Sequence, residues 1–348
     1  MNLKQQYEAI EKRLKRLDLG EIWPGFGPLK FALYDHENCY FNGQYIEKPA
    51  EFCANTALSY QGESIAIWWL VQEIDPDLLC AKMVHEMFHA FQEIQGWDCY
   101  AREMDALFDY EYEPDNLAMK FHENRLLLEL CRGDSAQTFQ DVLQSRKSRQ
   151  AKYPEPYLYE AQVEEIEGTA SYVEWQVLSR LDAKKAEKWL QELRARLLKA
   201  KNYFPIRVVN YDSGALFIAA ALQAGLYRFN DVKRPFALSC LETVKATSPL
   251  RTASGEDRRL MQEALESYQA ETKAIVQGAI ELQEPILEGP LHLDGLNIYD
   301  ARRDQNYLTT RYFLAYSRDG QQQQVFGDFV LKMKDRETIE AVYPWETE

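Results

Sequence analysis

The spacing of apolar residues changes twice along this chain, and the changes divide it into three parts. Between residues 28 and 70, short apolar runs predict β-strands at 31–34, 39–41, 45–46 and 64–70. From residue 76 to about residue 280, apolar residues recur at helical spacing. Strand-like alternation returns at 311–316 and 323–332, and Asp319-Gly320 between them is a dipeptide typical of hairpin turns.

These patterns predict an α+β fold that is predominantly helical. Besides a charged N-terminal helix within residues 1–18 and a helix from Asp75 to Ile94, helices are predicted near 115–131, 135–150, 157–180, 183–201, 212–224 and 256–280. A small mixed sheet at about 28–70 and a helical body at about 76–280 form one predicted domain, residues 1–280. Residues 281–348 are predicted to form a small β-rich C-terminal segment.

The helix from Asp75 to Ile94 carries the most informative motif of the chain. It begins with Asp75 as the N-cap and Pro76 at the first helical position. Its polar residues fall on a single stripe, which consists of Lys82, His85, Glu86, His89, Gln92 and Glu93. The remaining surface of the helix is largely apolar and is therefore predicted to be buried.

Within this stripe, His85-Glu86-Met87-Phe88-His89 has the H-E-x-x-H pattern, in a chain with only five histidines. Residues four apart share a helix face, so the imidazoles of His85 and His89 can reach one cation. Glu86 can then accept a proton from a metal-bound water. The alternative is an ordinary amphipathic helix whose polar stripe faces water.

A zinc site for hydrolysis needs a third protein ligand. The segment 163–177 predicts a helix whose apolar residues face the core, with Glu167, Ser171 and Glu174 on a flanking stripe. Gly168 indicates that another group approaches this helix closely, because a helical glycine costs about 1 kcal/mol relative to alanine. Glu167 is the favoured third ligand, and Glu164, one turn earlier, is the main alternative.

At these segments the chain resembles the gluzincin metallopeptidases, particularly their aminopeptidases. The segment Glu167-Gly168-Thr169-Ala170-Ser171-Tyr172-Val173-Glu174 is similar to the family helix that carries the third zinc ligand. The segment Tyr211-Asp212-Ser213-Gly214 is similar to the family segment whose tyrosine stabilises the oxyanion. The resemblance implies a zincin-like catalytic domain with Glu167 as a ligand, Glu174 as an acid that supports a ligand, and Tyr211 as the oxyanion-binding group.

Three features differ from the family pattern. Glu167 lies 78 residues after His89, a longer separation than in the family, which predicts two inserted helices between the motif segments. Ser213 replaces the family lysine, and the G-x-M-E-N segment that anchors a substrate amino terminus is missing.

In zinc peptidases a strand at the sheet edge commonly lies above the metal, and the strand at 64–70 is the hypothesised equivalent here.

Composition limits the classes of partner. The net charge of -15 and the pI near 5.0 argue against binding to nucleic acid or to anionic membranes. No apolar run approaches the roughly 20 residues needed to span a bilayer. The N-terminus does not have the pattern of an export signal, and the six cysteines have no paired spacing, so a cytoplasmic protein with reduced thiols is predicted.

The sequence therefore predicts a zinc-dependent metallopeptidase that acts on a peptide or protein. One Zn²⁺ ion is held by His85, His89 and Glu167, Glu86 is the general base, and Tyr211 stabilises the oxyanion. His122 is the second candidate for a proton donor, while His36 and His292 are predicted to be structural or surface residues. Two alternatives stay open: a catalytically silent zincin-fold protein that retains zinc and binds a partner, and a protein without metal.

Overall fold

The N-terminal part of the chain folds into a five-stranded mixed sheet packed against helices. A computed structural model describes residues 2–131, 136–227, 229, 232–244 and 252–345. After helix α1 (Leu3–Leu14) come the strands β1 (Phe31–Tyr34), β2 (Asn38–Phe41), β3 (Gln44–Glu47), β4 (Thr56–Tyr60) and β5 (Glu63–Trp69). Their order in the sheet is β3-β2-β1-β5-β4, and only β1 and β5 are parallel. The predicted mixed sheet is confirmed.

The edge of this sheet differs from the prediction. β5 is hydrogen-bonded to β1 on one side and to β4 on the other, so the strand predicted at 64–70 is an inner strand. The edge strand beside β5 is β4, which the hydrophobic pattern did not predict. A strand with one buried face is recognised in a sequence by alternating apolar and polar residues. The residues of β4 are nearly all partly buried and show no such alternation.

The helical body follows the sheet. It consists of α2 (Pro76–Ile94), α3 (Glu103–Asp109), α4 (Pro114–Leu130), α5 (Ala136–Lys152), α6 (Pro154–Val163), a π-helical segment (Glu164–Gly168), α7 (Thr169–Leu181), α8 (Ala183–Leu197), a 3₁₀ turn (Ala200–Tyr203), α9 (Ile206–Gln223), α10 (Phe236–Leu241) and α11 (Gly255–Leu282).

Most helix predictions are confirmed, with four differences. The predicted helix 157–180 contains the π-helical segment, and the helix predicted from residue 212 begins at Ile206. The helices α3 and α10 were not predicted. Because α3 lies between the two motif segments, the chain forms three helices there, α3 to α5, before α6 leads into the segment of Glu167, and not the two that were predicted. Residue 135, where one predicted helix starts, lies outside the described residues.

The motif helix α2 is held at its N-terminus and along its apolar face. Asp75 caps the helix, because its carboxylate accepts hydrogen bonds from the backbone N–H groups of Asp77 (3.0 Å) and Leu78 (3.2 Å). The apolar residues from Leu79 to Phe91 are buried against β5 and α7, and Leu78 is half-buried. Four residues of the predicted polar stripe, Lys82, His85, His89 and Gln92, contact α7 or the π-helical segment, whereas Glu93 is exposed.

The π-helical segment and α9 touch backbone to backbone at two glycines. A Cβ atom placed on Gly168 would lie 2.6 Å from the Cα of Gly214, and one placed on Gly214 would lie 2.8 Å from the Cα of Gly168. Such distances are far below van der Waals contact, so neither position has room for a side chain. The close approach that Gly168 suggested in the sequence is confirmed, and the partner is α9.

The C-terminal segment forms a seven-stranded sheet. Its strands are β6 (Leu287–Leu296), β7 (Arg302–Asp304), β8 (Tyr307–Thr310), β9 (Phe313–Arg318), β10 (Gln321–Phe326), β11 (Phe329–Met333) and β12 (Thr338–Pro344). The order is β10-β9-β6-β12-β11-β8-β7. Asp319 and Gly320 both have positive φ values, 51° and 76°, and form the predicted hairpin turn between β9 and β10.

The strand predicted at 323–332 is wrong as a single element. It is divided into β10 and β11 at Gly327, whose φ of 143° is a conformation that side chains rarely allow. The strands β6, β7, β8 and β12 were not predicted. The sheet packs its apolar face against Met104, Leu107 and Phe108 of α3.

The described part of the chain contains no helix that is long and apolar enough to cross a membrane. The six cysteines, all of them within the described ranges, form no disulfide.

We expect Gly214→Ala to destabilise the fold, because the added methyl group must push the π-helical segment away from α9. Overpacking of this kind lowers the free energy of unfolding by about 1–3 kcal/mol. Urea denaturation measures the effect. Gly278→Ala on α11 is the control, since a Cβ there meets no atom within 4 Å; it should be neutral or stabilising by up to about 1 kcal/mol. Equal stability of Gly214→Ala and the parent would contradict the close contact.

Candidate metal centre

Two imidazoles and one carboxylate meet between α2 and the π-helical segment. The Nε2 atoms of His85 and His89 are 3.1 Å apart. The Oε2 atom of Glu167 lies 3.2 Å from the Nε2 of His89 and 3.6 Å from that of His85. Among the described residues, these three form the group of metal-ligating side chains whose donor atoms converge.

The triangle formed by these three atoms fits a single tetrahedral metal ion. With ligand bonds of about 2.0–2.2 Å, as for zinc, neighbouring donor atoms of a tetrahedron are about 3.3–3.6 Å apart. The observed edges of 3.1, 3.2 and 3.6 Å are close to this range. Three protein donors leave one vertex for water or substrate, the composition of catalytic zinc sites.

The side chain of Gln92 orients His89. Its amide nitrogen donates to the backbone carbonyl of Ile166 (2.9 Å) in the π-helical segment, which leaves the amide oxygen to accept from Nδ1 of His89 (2.8 Å). The proton on Nδ1 leaves the Nε2 lone pair directed at the cluster. Gln92 lies in the predicted polar stripe of α2, three residues after His89, but its role was not predicted.

Glu174 lies beside the other imidazole, at the distance of an ion pair. One of its carboxylate oxygens lies 3.2 Å from Nδ1 of His85, the nitrogen remote from the cluster. Lys82 and the indole of Trp189 lie next to its other oxygen, at 3.7 and 3.3 Å. Burial raises the pKa of Glu174, but Lys82 and His85 outweigh burial and lower it to about 2. Glu174 is therefore a carboxylate that can support His85 as a ligand.

The acids around His85 also make this position strongly attractive to positive charge. Burial lowers the pKa of His85, but hydrogen bonds to Glu167 and Glu174 outweigh it and raise the pKa to about 10. Two imidazole lone pairs and a carboxylate that face one another repel unless a cation lies between them. Without a metal, a proton on His85 supplies that charge.

Arg207 of α9 fixes the third ligand. Its Nη2 donates to the Oε1 of Glu167 at 2.8 Å, which leaves the Oε2 of that residue for the cluster. Its Nε donates to Glu103 of α3 at 2.9 Å. Burial raises the pKa of Glu167, but His89, His85 and Arg207 together hold it well below its usual value. Arg207 and Glu103 were not predicted. Arg207 lies one helical turn before Tyr211, which is a usable signal once α9 is known to begin at Ile206.

Glu164, the alternative third ligand, points away from the cluster. Arg146 donates to both of its oxygens (2.6 and 2.9 Å), and Lys120 (2.8 Å) and Ser213 (2.7 Å) donate to one of them. All of these side chains are fully buried. Glu164 is therefore a structural charge, and the structure brings Glu167 to the imidazoles instead. In the wider π-helical turn, residues three apart diverge more than in an α-helix, where they share a face.

Glu86 lies beside the two imidazoles and has no hydrogen bond to another residue within the described ranges. Burial raises the pKa of its carboxyl group, and the neighbouring imidazoles partly oppose this. A carboxylate without a hydrogen-bond partner and with a raised pKa suits a general base. Its position next to His85 follows directly from the H-E-x-x-H motif.

Tyr211 contacts two residues of the cluster, His85 and Glu167. Its ring stacks on that of His85, with centroids 6.5 Å apart and an interplanar angle of 8°. Its hydroxyl is hydrogen-bonded to Arg207 and Glu167. Burial and the adjacent Glu167 raise its pKa well above the ordinary value, so it remains a proton donor at neutral pH. The C-terminal segment also reaches this point, since the ring of Tyr299 lies 6.1 Å from that of Tyr211.

A cleft of about 630 Å³ opens at the cluster. His89, Glu167 and Arg207 line it together with residues 56–59 of the edge strand β4. The remaining histidines lie elsewhere: His122 is buried on α4, His36 packs edge-on to Trp69, and His292 lies on β6. His122 lines neither the cluster nor the cleft, so the structure does not place it as the proton donor.

Comparison of the chain with protein-family models, with curated proteins and with solved structures finds no match. The function proposed below therefore depends on the residues and geometry of this site.

We expect two glutamates on neighbouring turns to respond oppositely to the same substitution. Glu164→Gln leaves Arg146 and Lys120 buried without their full counter-charge, so it should cost about 3–5 kcal/mol of stability and keep the metal affinity of the folded protein. Glu167→Gln removes a ligand and should lose metal binding with a much smaller change in stability. Thermal denaturation and zinc titration measure both. Loss of zinc binding in folded Glu164→Gln, with zinc binding retained in Glu167→Gln, would reverse the ligand assignment.

Proposed function

We propose that this chain is a zinc-dependent peptidase with a zincin-like catalytic domain. The observation that carries the proposal is the triangle of His85, His89 and Glu167. Each donor atom faces the other two, and the remaining polar atom of each side chain has its own neighbour: Gln92 and Arg207 are hydrogen-bonded to His89 and Glu167, and Glu174 lies 3.2 Å from Nδ1 of His85. Preorganisation of this kind is expected of a metal site and is not needed by a solvent-exposed polar stripe.

The protein groups around the triangle supply the chemistry of hydrolysis. A zinc ion held there would lower the pKa of a water at its open vertex from 15.7 toward about 7 and would polarise the substrate carbonyl. Glu86 accepts the proton of the attacking water and passes it to the leaving amine. The protonated hydroxyl of Tyr211 donates a hydrogen bond to the carbonyl oxygen of the substrate as negative charge develops on it.

The edge strand β4 indicates how a substrate binds. Its outer edge has backbone N–H and C=O groups that no strand of the described sheet pairs with, and residues 56–59 line the same cleft as His89 and Glu167. An extended peptide can add to such an edge by backbone hydrogen bonds. We therefore infer a peptide or protein substrate.

We also propose a cytoplasmic location, in which cysteines are kept reduced; the six cysteines, which form no disulfide, are compatible with it.

Glu86→Gln should keep zinc and lose hydrolysis, because it removes the base and leaves the three ligands in place. The expected loss in kcat is about 10²- to 10⁴-fold. Metal analysis of protein purified without a histidine tag and digestion of a peptide library measure the two properties. Glu73→Gln, an exposed acid before α2, serves as control.

Hydrolysis by Glu86→Gln at the parent's rate would show that the base is assigned wrongly. A parent protein that binds zinc stoichiometrically but cleaves no peptide would instead support the silent zinc-binding alternative.

Tyr211→Phe should lower kcat about 10²-fold with little change in KM, because the hydroxyl acts on charge that develops only in the transition state. Steady-state kinetics on a cleaved peptide provide the measurement. Tyr312→Phe, an exposed tyrosine of the C-terminal sheet, is the matched control. Unchanged kcat in Tyr211→Phe would remove this residue from the mechanism.

A further inference from the structure

A second cavity adjoins the cleft at the candidate metal centre. It has a volume of about 540 Å³, and Arg207 and Glu103 line both spaces. The second cavity lies between α3, the start of α9, the helix α11 and residues 298–305 of the C-terminal segment. Its size is within the range of pockets that bind small organic groups, about 300–1,000 Å³.

Thirteen of the twenty residues that line this cavity are apolar or aromatic, and the hydroxyl groups of its tyrosines are already engaged. Four of the lining residues are tyrosines: Tyr110, Tyr112, Tyr159 and Tyr268. The hydroxyls of Tyr110 and Tyr159 each donate to a glutamate at 2.8 Å. Tyr112 accepts from a backbone N–H of α9 at 3.1 Å and is hydrogen-bonded to Tyr268. An occupant therefore meets ring carbon atoms, not free hydroxyl groups.

Two of the three cationic side chains that line the cavity are engaged by protein atoms. Arg207 is bonded to Glu103 and Glu167, and Arg303 donates to two backbone carbonyls, those of Phe108 and Gln305. The third, Lys273, is exposed to solvent, and Asp304 carries the opposite charge. The remaining walls therefore suit a largely apolar group.

Two structural links connect the cavity with the reacting groups. Arg207 lines the cavity and is hydrogen-bonded to both Tyr211 and Glu167. The loop that precedes β7 lines the cavity with Ile298 and Ala301, while Tyr299 between them packs against Tyr211. A peptide whose carbonyl lies beside Tyr211 therefore has a side-chain position within reach of the cavity.

We propose that this cavity, here named the aromatic pocket, is a specificity subsite that binds one aromatic or large aliphatic side chain of the peptide substrate. The proposal rests on the proposed peptidase function. Burial of such a side chain should make the preferred residue better than alanine at one substrate position by at least about tenfold in kcat/KM. The pocket is built partly by the C-terminal segment, which thereby takes part in substrate selection.

The test is a peptide series in which each position around the cleaved bond is varied among Phe, Leu, Ala, Asp and Lys. The parent should prefer Phe or Leu at one position. Two substitutions that fill the pocket from opposite walls, Ala270→Trp on α11 and Ala106→Phe on α3, should abolish this preference and retain cleavage of the alanine peptide. Ala274→Trp is the control, because Ala274 is also exposed on α11 but does not line the pocket.

A preference retained in both filled variants, or no apolar preference in the parent, would overturn the proposal. A binding experiment separates this failure from failure of the peptidase function. N-acetyl-phenylalanine amide and N-acetyl-alanine amide are titrated into zinc-loaded Glu86→Gln protein and followed by NMR. Binding of the phenylalanine amide alone, lost in Glu86→Gln/Ala270→Trp, supports the pocket even if no peptide is cleaved. Equal behaviour of the two amides refutes it.

Discussion

The contact between Gly168 and Gly214 is the constraint on which the rest of the site depends. It brings the π-helical segment and α9 together at backbone distance, with no room for a Cβ on either side. Glu167 is the residue before one glycine, and Tyr211 and Arg207 lie within two turns of the other. The guanidinium of Arg207 on α9 can therefore donate a hydrogen bond to the carboxylate of Glu167 in the π-helical segment, at 2.8 Å. Any larger residue at the contact would separate these groups.

Two acids of the same short segment have opposite structural roles because their surroundings differ. Glu164 faces Arg146 and Lys120 in the core, where full burial makes the charges depend on one another. Glu167 lies at the edge of a cleft, where Arg207 is bonded to one of its oxygens and the other oxygen faces two imidazoles. The first arrangement stabilises the helix packing, and the second leaves an oxygen that could bind a metal ion together with the imidazoles.

The C-terminal sheet reaches the candidate metal centre through α3. This short helix has no buried residue of its own, and it packs three apolar side chains on the sheet while Arg336 bonds to Asp109 at 2.6 Å. Its first residue, Glu103, holds Arg207, which in turn holds Glu167. The C-terminal sheet therefore contributes to the orientation of Glu167, the proposed third ligand, as well as to the aromatic pocket.

The sequence by itself determined the features that depend on neighbouring positions in one element. The cap at Asp75, the pairing of His85 with His89 and the position of Glu86 all follow from helical periodicity. The hairpin turn at Asp319-Gly320 follows from local backbone preference. Gly168 also indicated a close contact, because glycine destabilises a helix relative to alanine unless a neighbouring group needs the space of the missing side chain.

Only the tertiary structure decided which distant groups meet. Glu164 and Glu167 have similar local sequence, and the choice between them depends on Arg146 and Lys120, which come from other helices. The edge strand β4 and the role of Arg207 depend on sheet order and helix docking, and these are set by long-range packing. Because contacts between residues far apart in sequence leave no periodic signal, these features become visible only when the chain is folded.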